Sequence, residues 1–221
     1  MAHVEKDEGN VVELCKDQSI TQDMRRRAFV LLVIGRMTSN GLFFSDLQTL
    51  FDRTNVSADS FSRVTDGKKG SDRLFPHGAV KFISSHKYPR FALYLKPECL
   101  HVPSSPDFPG VDAILRVGSA VIAFVMHVGR HRDVKKLLLE HATDANWFDG
   151  RISTVILVYL SPHPSISEDQ SASFEHATAI EETGRIKRRR QNEEYPCSFY
   201  TVFCATEHFP ALKSISFLPD K

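Results

Sequence analysis

The chain has 221 residues and a mass of 25.0 kDa, which suits one domain or one domain with an appendage. Its 28 Lys and Arg against 27 Asp and Glu leave a formal charge of +1, which excludes a strongly electrostatic polyanion binder and leaves only local basic clusters to consider. A hydrophobic share of 42% with 25% charged residues is that of an ordinary globular protein, and no apolar run approaches the ~20 residues of a membrane span.

The four cysteines, Cys15, Cys99, Cys197 and Cys204, form no CxxC pair. Their scatter points to reduced thiols in an intracellular protein rather than to a zinc knuckle or a disulfide framework. The polar, acidic start MAHVEKDEGN has the character of neither a secretory signal nor an Arg-rich transit peptide. Cytosol or nucleus is the expected compartment.

Residues 1–10 read as disordered. From Val11 to Arg36 the chain reads as helix in two pieces, broken at Asp17-Gln18-Ser19-Ile20-Thr21, with Ser19 or Thr21 available to cap the second piece. The triplet Arg25-Arg26-Arg27 is able to grip phosphate, but such runs more often form a solvated helix face with their stems packed down. Asn40-Gly41 is a helix stop, and Ser45-Asp46 opens a third short helix, LQTLFDR.

Residues 55–78 are polar, with turn signals at Asp66-Gly67 and Lys69-Gly70. The GKKGS phrase lacks the spacing of a phosphate loop and follows no apolar strand, so phosphate binding there is rejected. Val80–Ile83 and Arg90–Leu95 read as strands, the second closed by Lys96-Pro97-Glu98. Val111–Val117 and Ala120–Val128 read as an antiparallel pair joined by the two-residue turn Gly118-Ser119. The run AVIAFVMHV is apolar almost throughout, as in a strand covered on both faces. Asp112 enters the first of these strands just after Pro109-Gly110. A carboxylate that enters a sheet core needs a partner, a metal or a proton. Its commonplace role is to cap the strand end or to pair with a nearby arginine.

Asp133–His141 has helical spacing, and TVILVYL at Thr154–Leu160 is again a central-strand run. The crossover helix requires Ala120–Val128 and Thr154–Leu160 to lie parallel. Residues 163–196 are rich in Ser, Glu and His and read as a flexible linker or insert. Its basic cluster, with Lys187, Arg188, Arg189 and Arg190, suits a nuclear-import signal or a phosphate-binding tether. Cys197–Ala205 returns as a strand to the same sheet, and Ala211–Leu218 closes the chain as a short strand or helical turn. The expected fold is α/β, a mixed central sheet flanked by helices with an N-terminal helical segment. His127 and His131 are spaced like zinc ligands, but Gly129 and the strand-like run before it oppose a helix there.

The phrase Phe108-Pro109-Gly110-Val111-Asp112-Ala113, the strand Ala123–Val128, the basic Arg130-His131-Arg132 and the apolar Leu157–Pro162 follow one another in a suggestive order. Together they resemble the restriction-endonuclease-like PD-(D/E)XK fold, and within it the nuclease-like region of trypanosomatid retrotransposon hot spot proteins and Crinkler-type effectors. The resemblance spans roughly residues 90–162. It implies a metal-dependent nuclease core in which an acid and a lysine on the second strand bind metal and orient the attacking water. On this chain the acid slot falls on Val125 and the lysine slot on His127. Valine gives a hard cation such as magnesium no oxygen ligand, and one carboxylate is a poor site for phosphodiester chemistry.

The resemblance therefore implies a nuclease-like domain without catalysis, with Asp112, His127 and Glu98 as a vestigial site. It would serve as a protein- or nucleic-acid-interaction module in a larger complex, with no cofactor and no membrane. A protein partner is expected. Nucleic acid is a second candidate partner, through Arg130, Arg132 and Lys187–Arg190. The nucleus is favoured over the cytoplasm. The alternative is an active magnesium nuclease with a rearranged site of Asp112, Glu98 or Glu13, with His127 in the lysine role. A third reading is a purely structural subunit.

Overall fold

A computed structural model describes residues 2–48, 69–76, 78–84, 95–104, 110–128, 152, 154–162, 180–187, 194–209 and 212. Two helices come first, α1 at Ala2–Lys16 and α2 at Gln22–Asn40. The break between them falls where the sequence predicts, and Thr21 is the cap, its Oγ1 accepting from the Met24 N–H at 3.3 Å. α1 begins at Ala2 and not near Val11, so the expected disorder of residues 1–10 is replaced by helix. The charged residues that lower the hydropathy of this stretch are also good helix formers, and composition alone does not separate the two outcomes. α2 stops at Gly41, whose φ of 83° suits a residue without Cβ.

Residues 44–48 are helical, with the Asp46 carboxylate accepting from the Phe43 N–H at 2.7 Å. The described part of the GKKGS phrase, residues 69–71, takes part in internal bonds. The N–H groups of Phe44 and Ser45 donate to the carbonyls of Asp72 and Gly70, and the Lys69 N–H donates to the Asp72 carboxylate.

Seven strands form one mixed sheet among the described residues: β1 Val80–Ile83, β2 Leu100–Pro103, β3 Ala113–Val117, β4 Ala120–Met126, β5 Thr154–Ser161, β6 Ile180–Lys187 and β7 Glu194–Ala205. Their spatial order is β1-β2-β3-β4-β5-β7-β6. β3 and β4 are the expected antiparallel pair, turning at Gly118 with φ 55°. β4 and β5 are parallel in register from Ala120↔Thr154 to Met126↔Leu160, and β7 lies parallel on the far side of β5. Every residue of β4 and β5 is buried, the burial their unbroken apolar runs require.

One face of the sheet carries Leu115, Ile122, Phe124, Met126, Val158, Leu160 and Val202, in a single cluster with Phe29, Leu32, Val33 and Met37 of α2. The other face, with Ile114, Val121, Ala123, Val125, Leu157 and Tyr159, is buried too.

Two strands depart from expectation. The neighbour of β3 is Leu100–Pro103, a four-residue run; Arg90–Tyr94 lies outside the described residues, as does the expected helix Asp133–His141. The stretch 163–196 is not all linker, because it contributes β6 and the start of β7. β6 pairs antiparallel with β7 from Ile180↔Thr201 to Lys187↔Glu194. Backbone pairing needs no apolar side chains, and polar residues are the usual dress of an edge strand. Lys187 thus ends a strand, while Arg188, Arg189 and Arg190 lie outside the described residues, as do all but Leu212 of Ala211–Leu218.

Candidate functional site at the carboxyl edge of the sheet

The pairings make β1, β2, β4, β5 and β7 point one way, with β3 and β6 against them. The carboxyl ends of the parallel strands therefore share an edge with the start of β3, which is where Asp112 stands. Ligands of open α/β sheets bind outside this edge. It is also where polar side chains enter the core: His127, Ser161 and Thr206, at the ends of β4, β5 and β7, are all buried.

β3 begins only at Ala113, because the chain comes in through a turn at Gly110, with φ 71°. The ladder bond from His127 N–H to the Leu160 carbonyl faces β5, so the backbone groups of Met126 face the side that β3 does not reach. They need other partners. The Met126 N–H donates to Asp112 Oδ2 at 2.7 Å, and the Met126 carbonyl accepts from Arg26 Nε at 3.1 Å. Arg26 Nη2 closes a ring by donating to Asp112 Oδ1, forming an ion pair with it. One turn earlier on α2, Gln22 Nε2 donates to the Val128 carbonyl at 2.8 Å. The side chain of Asp112 is 9% exposed and that of Arg26 25%. This charged pair therefore sits largely out of water, with hydrogen bonds to share its charge.

Asp112 thus plays the commonplace role open to it, pairing with an arginine at a strand end. Of the triplet, Arg27 makes an exposed i,i+4 pair with Asp23 at 2.9 Å, while Arg25 is half-buried. The sequence singles out Arg26 only as one of the triplet and not as the partner of Asp112, and does not single out Gln22, although a signal exists. The sheet-facing residues Phe29, Val33 and Met37 are spaced four apart, and stepping back by three and then four reaches Arg26 and Gln22.

The other expected site residues are placed as follows. His127 shares the edge with Asp112 and is buried. Val125 is 1% exposed, on the face away from α2, among Ala123 and Tyr159. Glu98 does not join them. The register Leu100↔Leu115 and His101↔Ile114 carries Glu98 toward Val117, at the other end of β3. Five residues separate Val117 from Asp112, about 17 Å along a strand. Of the two readings of Glu98, a second carboxylate facing Asp112 or the commoner solvent-facing loop acid, the register does not support the first, and Glu98 is exposed in the turn before β2. Its φ of 57° instead turns the chain into β2. Glu13 lies on α1, 3.7 Å from Lys16. Arg130 and Arg132 lie outside the described residues.

Among the described residues no group of three or more His, Cys, Asp or Glu lies together as a metal would need. Nor is any described helix long and apolar enough to cross a membrane. Cys15, Cys99 and Cys204 form no disulfide among the described residues. Comparison with known proteins finds no matching family model, curated protein or solved structure.

Proposed function

We propose that this chain is a nuclease-like domain that has lost catalysis and acts as an interaction module for protein or nucleic acid within a larger complex. The observation that carries this reading is the commitment of Asp112. Its Oδ1 is held by a guanidinium and its Oδ2 by a backbone N–H, so the oxygens that would face a metal are turned to the protein. A divalent cation would have to displace Arg26 and would then find Val125 where a second acid is needed.

The binding half of the proposal draws on the same edge. The bonds from Gln22 and Arg26 set the first turns of α2 against the end of β4. Arg25 and Arg27 are therefore brought from about a hundred residues away to the strand whose continuation in sequence is Gly129-Arg130-His131-Arg132. Clustered guanidinium groups favour phosphate or carboxylate partners. Lys187–Arg190 is a second basic run, suited in this reading to nuclear import or to phosphate.

The test has two arms on the wild-type chain. Incubation with single- and double-stranded DNA and RNA in magnesium or manganese is expected to yield no cleavage above background. Fluorescence anisotropy with the same oligonucleotides is expected to report salt-sensitive binding that weakens in Arg25→Gln/Arg27→Gln. Metal-dependent cleavage that disappears in Asp112→Ala overturns the proposal in favour of an active nuclease with a rearranged site. Binding to neither nucleic acid leaves a protein as the partner.

A further inference from the structure

His101 is the other buried histidine among the described residues, at 0% exposure, within β2. Its Nε2 lies 3.3 Å from the Lys96 carbonyl. A carbonyl only accepts, so Nε2 carries the proton and Nδ1 presents a bare lone pair. Nδ1 is itself buried and makes no hydrogen bond among the described residues. Its register partners are Lys81 on β1 and Ile114 on β3. The charges that act on it from the described residues are those of Lys81 and Lys96, both positive. Arg116 lies next on the same face of β3, two residues on from Ile114, while Glu98 and Cys99 occupy the turn before β2.

A second proton on this ring would create a donor with no acceptor among the described residues and a charge beside those of two lysines. Both are costly out of water. Burial holds the imidazole below its usual range; the bond to the Lys96 carbonyl opposes it in part, and the charges of Lys81 and Lys96 add smaller effects in the same direction as burial.

The strand beside it is one of the two shortest in the sheet. β1 has four residues and, among the described residues, lies at the end of the strand order, bonded on one side only. Lys81 is exposed and Phe82 is 71% exposed. The bonds that pin it to β2 include Leu100 N–H to the Ala79 carbonyl and Ser104 N–H to the Ile83 carbonyl, each at 2.9 Å. Few buried contacts and a one-sided ladder are the conditions for local opening.

We propose that His101 makes the β1–β2 edge an acid-released element of the fold. While the edge is closed, His101 is neutral. When it opens, water reaches the ring, which then titrates near its ordinary value of about 6.5. Opening therefore takes up a proton as pH falls below that value. The closed edge has its full stability above it and loses stability on acidification toward the depressed value of the buried ring. In that window the open population grows by up to about tenfold per pH unit, the limit for one proton. The inference is independent of the role given to Asp112.

Hydrogen exchange on the full-length chain at pH 7.5 and pH 5.0, with rates corrected for intrinsic chemistry, tests it. The amides of Leu100 and Ser104 are expected to show an opening equilibrium several-fold larger at pH 5.0, with those of Phe124 and Val158 unchanged. His101→Gln, which keeps a donor for the Lys96 carbonyl and cannot charge, is expected to flatten the response. Should that variant fail to fold, the wild-type imidazole is followed directly by NMR, and titration of His101 at or above about 6.5 overturns the proposal. So does an unchanged opening in the wild type, an equal response in His101→Gln, or an equal rise at Phe124 and Val158, which would mark global unfolding.

Discussion

Asp112→Ala is the substitution most informative about the carboxyl edge. It removes the anion from a ring of three groups and leaves two of them stranded. The Met126 N–H loses its acceptor, and the Arg26 guanidinium keeps only the Met126 carbonyl among the bonds of the ring. Breaking a buried pair by deleting one partner costs roughly 3–5 kcal/mol. The side chain of Arg26 is 25% exposed, so water softens the loss, and about 2–3 kcal/mol is the expected cost. For a chain of this length that lowers Tm by about 4–12 °C, at roughly 2–4 °C per kcal/mol. Asp112→Asn keeps an acceptor for the Met126 N–H and loses only the charge, so it should cost less, about 1–2 kcal/mol. Urea unfolding and thermal melts of both variants, together with Arg26→Met and the Arg26→Met/Asp112→Ala double variant, give the coupling energy. It should exceed about 1 kcal/mol. Asp112→Ala within about 0.5 kcal/mol of wild type, the range of ordinary surface changes, would refute the structural role of the ring. Asp112 would then be open to a ligand or a metal.

Phe124→Ala, at the centre of the α2-facing cluster and 0% exposed, should destabilise by about 3–5 kcal/mol in urea unfolding, because the sheet and α2 cannot close over the void. Cys15 is buried, which pushes its thiol up to about 11. At pH 8 it should react with iodoacetamide only on unfolding; labelling in the native state as fast as a free thiol would contradict its burial. Lysine and arginine bonds held in a strand resist trypsin. Cleavage after Arg185 or Lys187 should therefore be slow in the native chain, and rapid cutting there would show β6 to be unpaired.

How much of this was legible follows from where the information lies along the chain. β4 and β5 are buried on both faces, so nearly every residue is apolar and the runs declare themselves. The turn at Gly118 and the parallel relation of β4 to β5 follow from connection lengths alone. β2 is four residues with a histidine at its second position, too short and too mixed for any period to register. β6 is hidden for another reason. It holds its place through the backbone of β7, and nothing in IEETGRIK needs to be apolar for that. Composition then reads an edge strand and a solvated linker alike.

Asp112 shows the same limit at the level of chemistry. Its phrase, FPGVDA, announces an acid at the mouth of a sheet and is silent on which cation answers it. A metal and an arginine satisfy a half-buried carboxylate equally well on electrostatic grounds. The choice is made by a residue 86 positions away, on a helix whose sheet-facing row happens to begin with Gln22 and Arg26. That row is periodic and so was available in the sequence, but the strand it would meet was not, because nothing local says against which strand a helix packs. The ring also explains why the acid can persist without a catalytic task. Met126 is left with an N–H and a carbonyl facing the gap before β3 begins, and one side chain with acceptors and one with donors are needed to fill it. An Asp–Arg pair meets both needs and compensates its own charge, whereas a metal bound at Asp112 would leave the Met126 carbonyl without the Arg26 donor. Closure of the ladder and occupancy by a cation therefore compete for the same carboxylate, and it is this competition that Asp112→Asn and Arg26→Met separate.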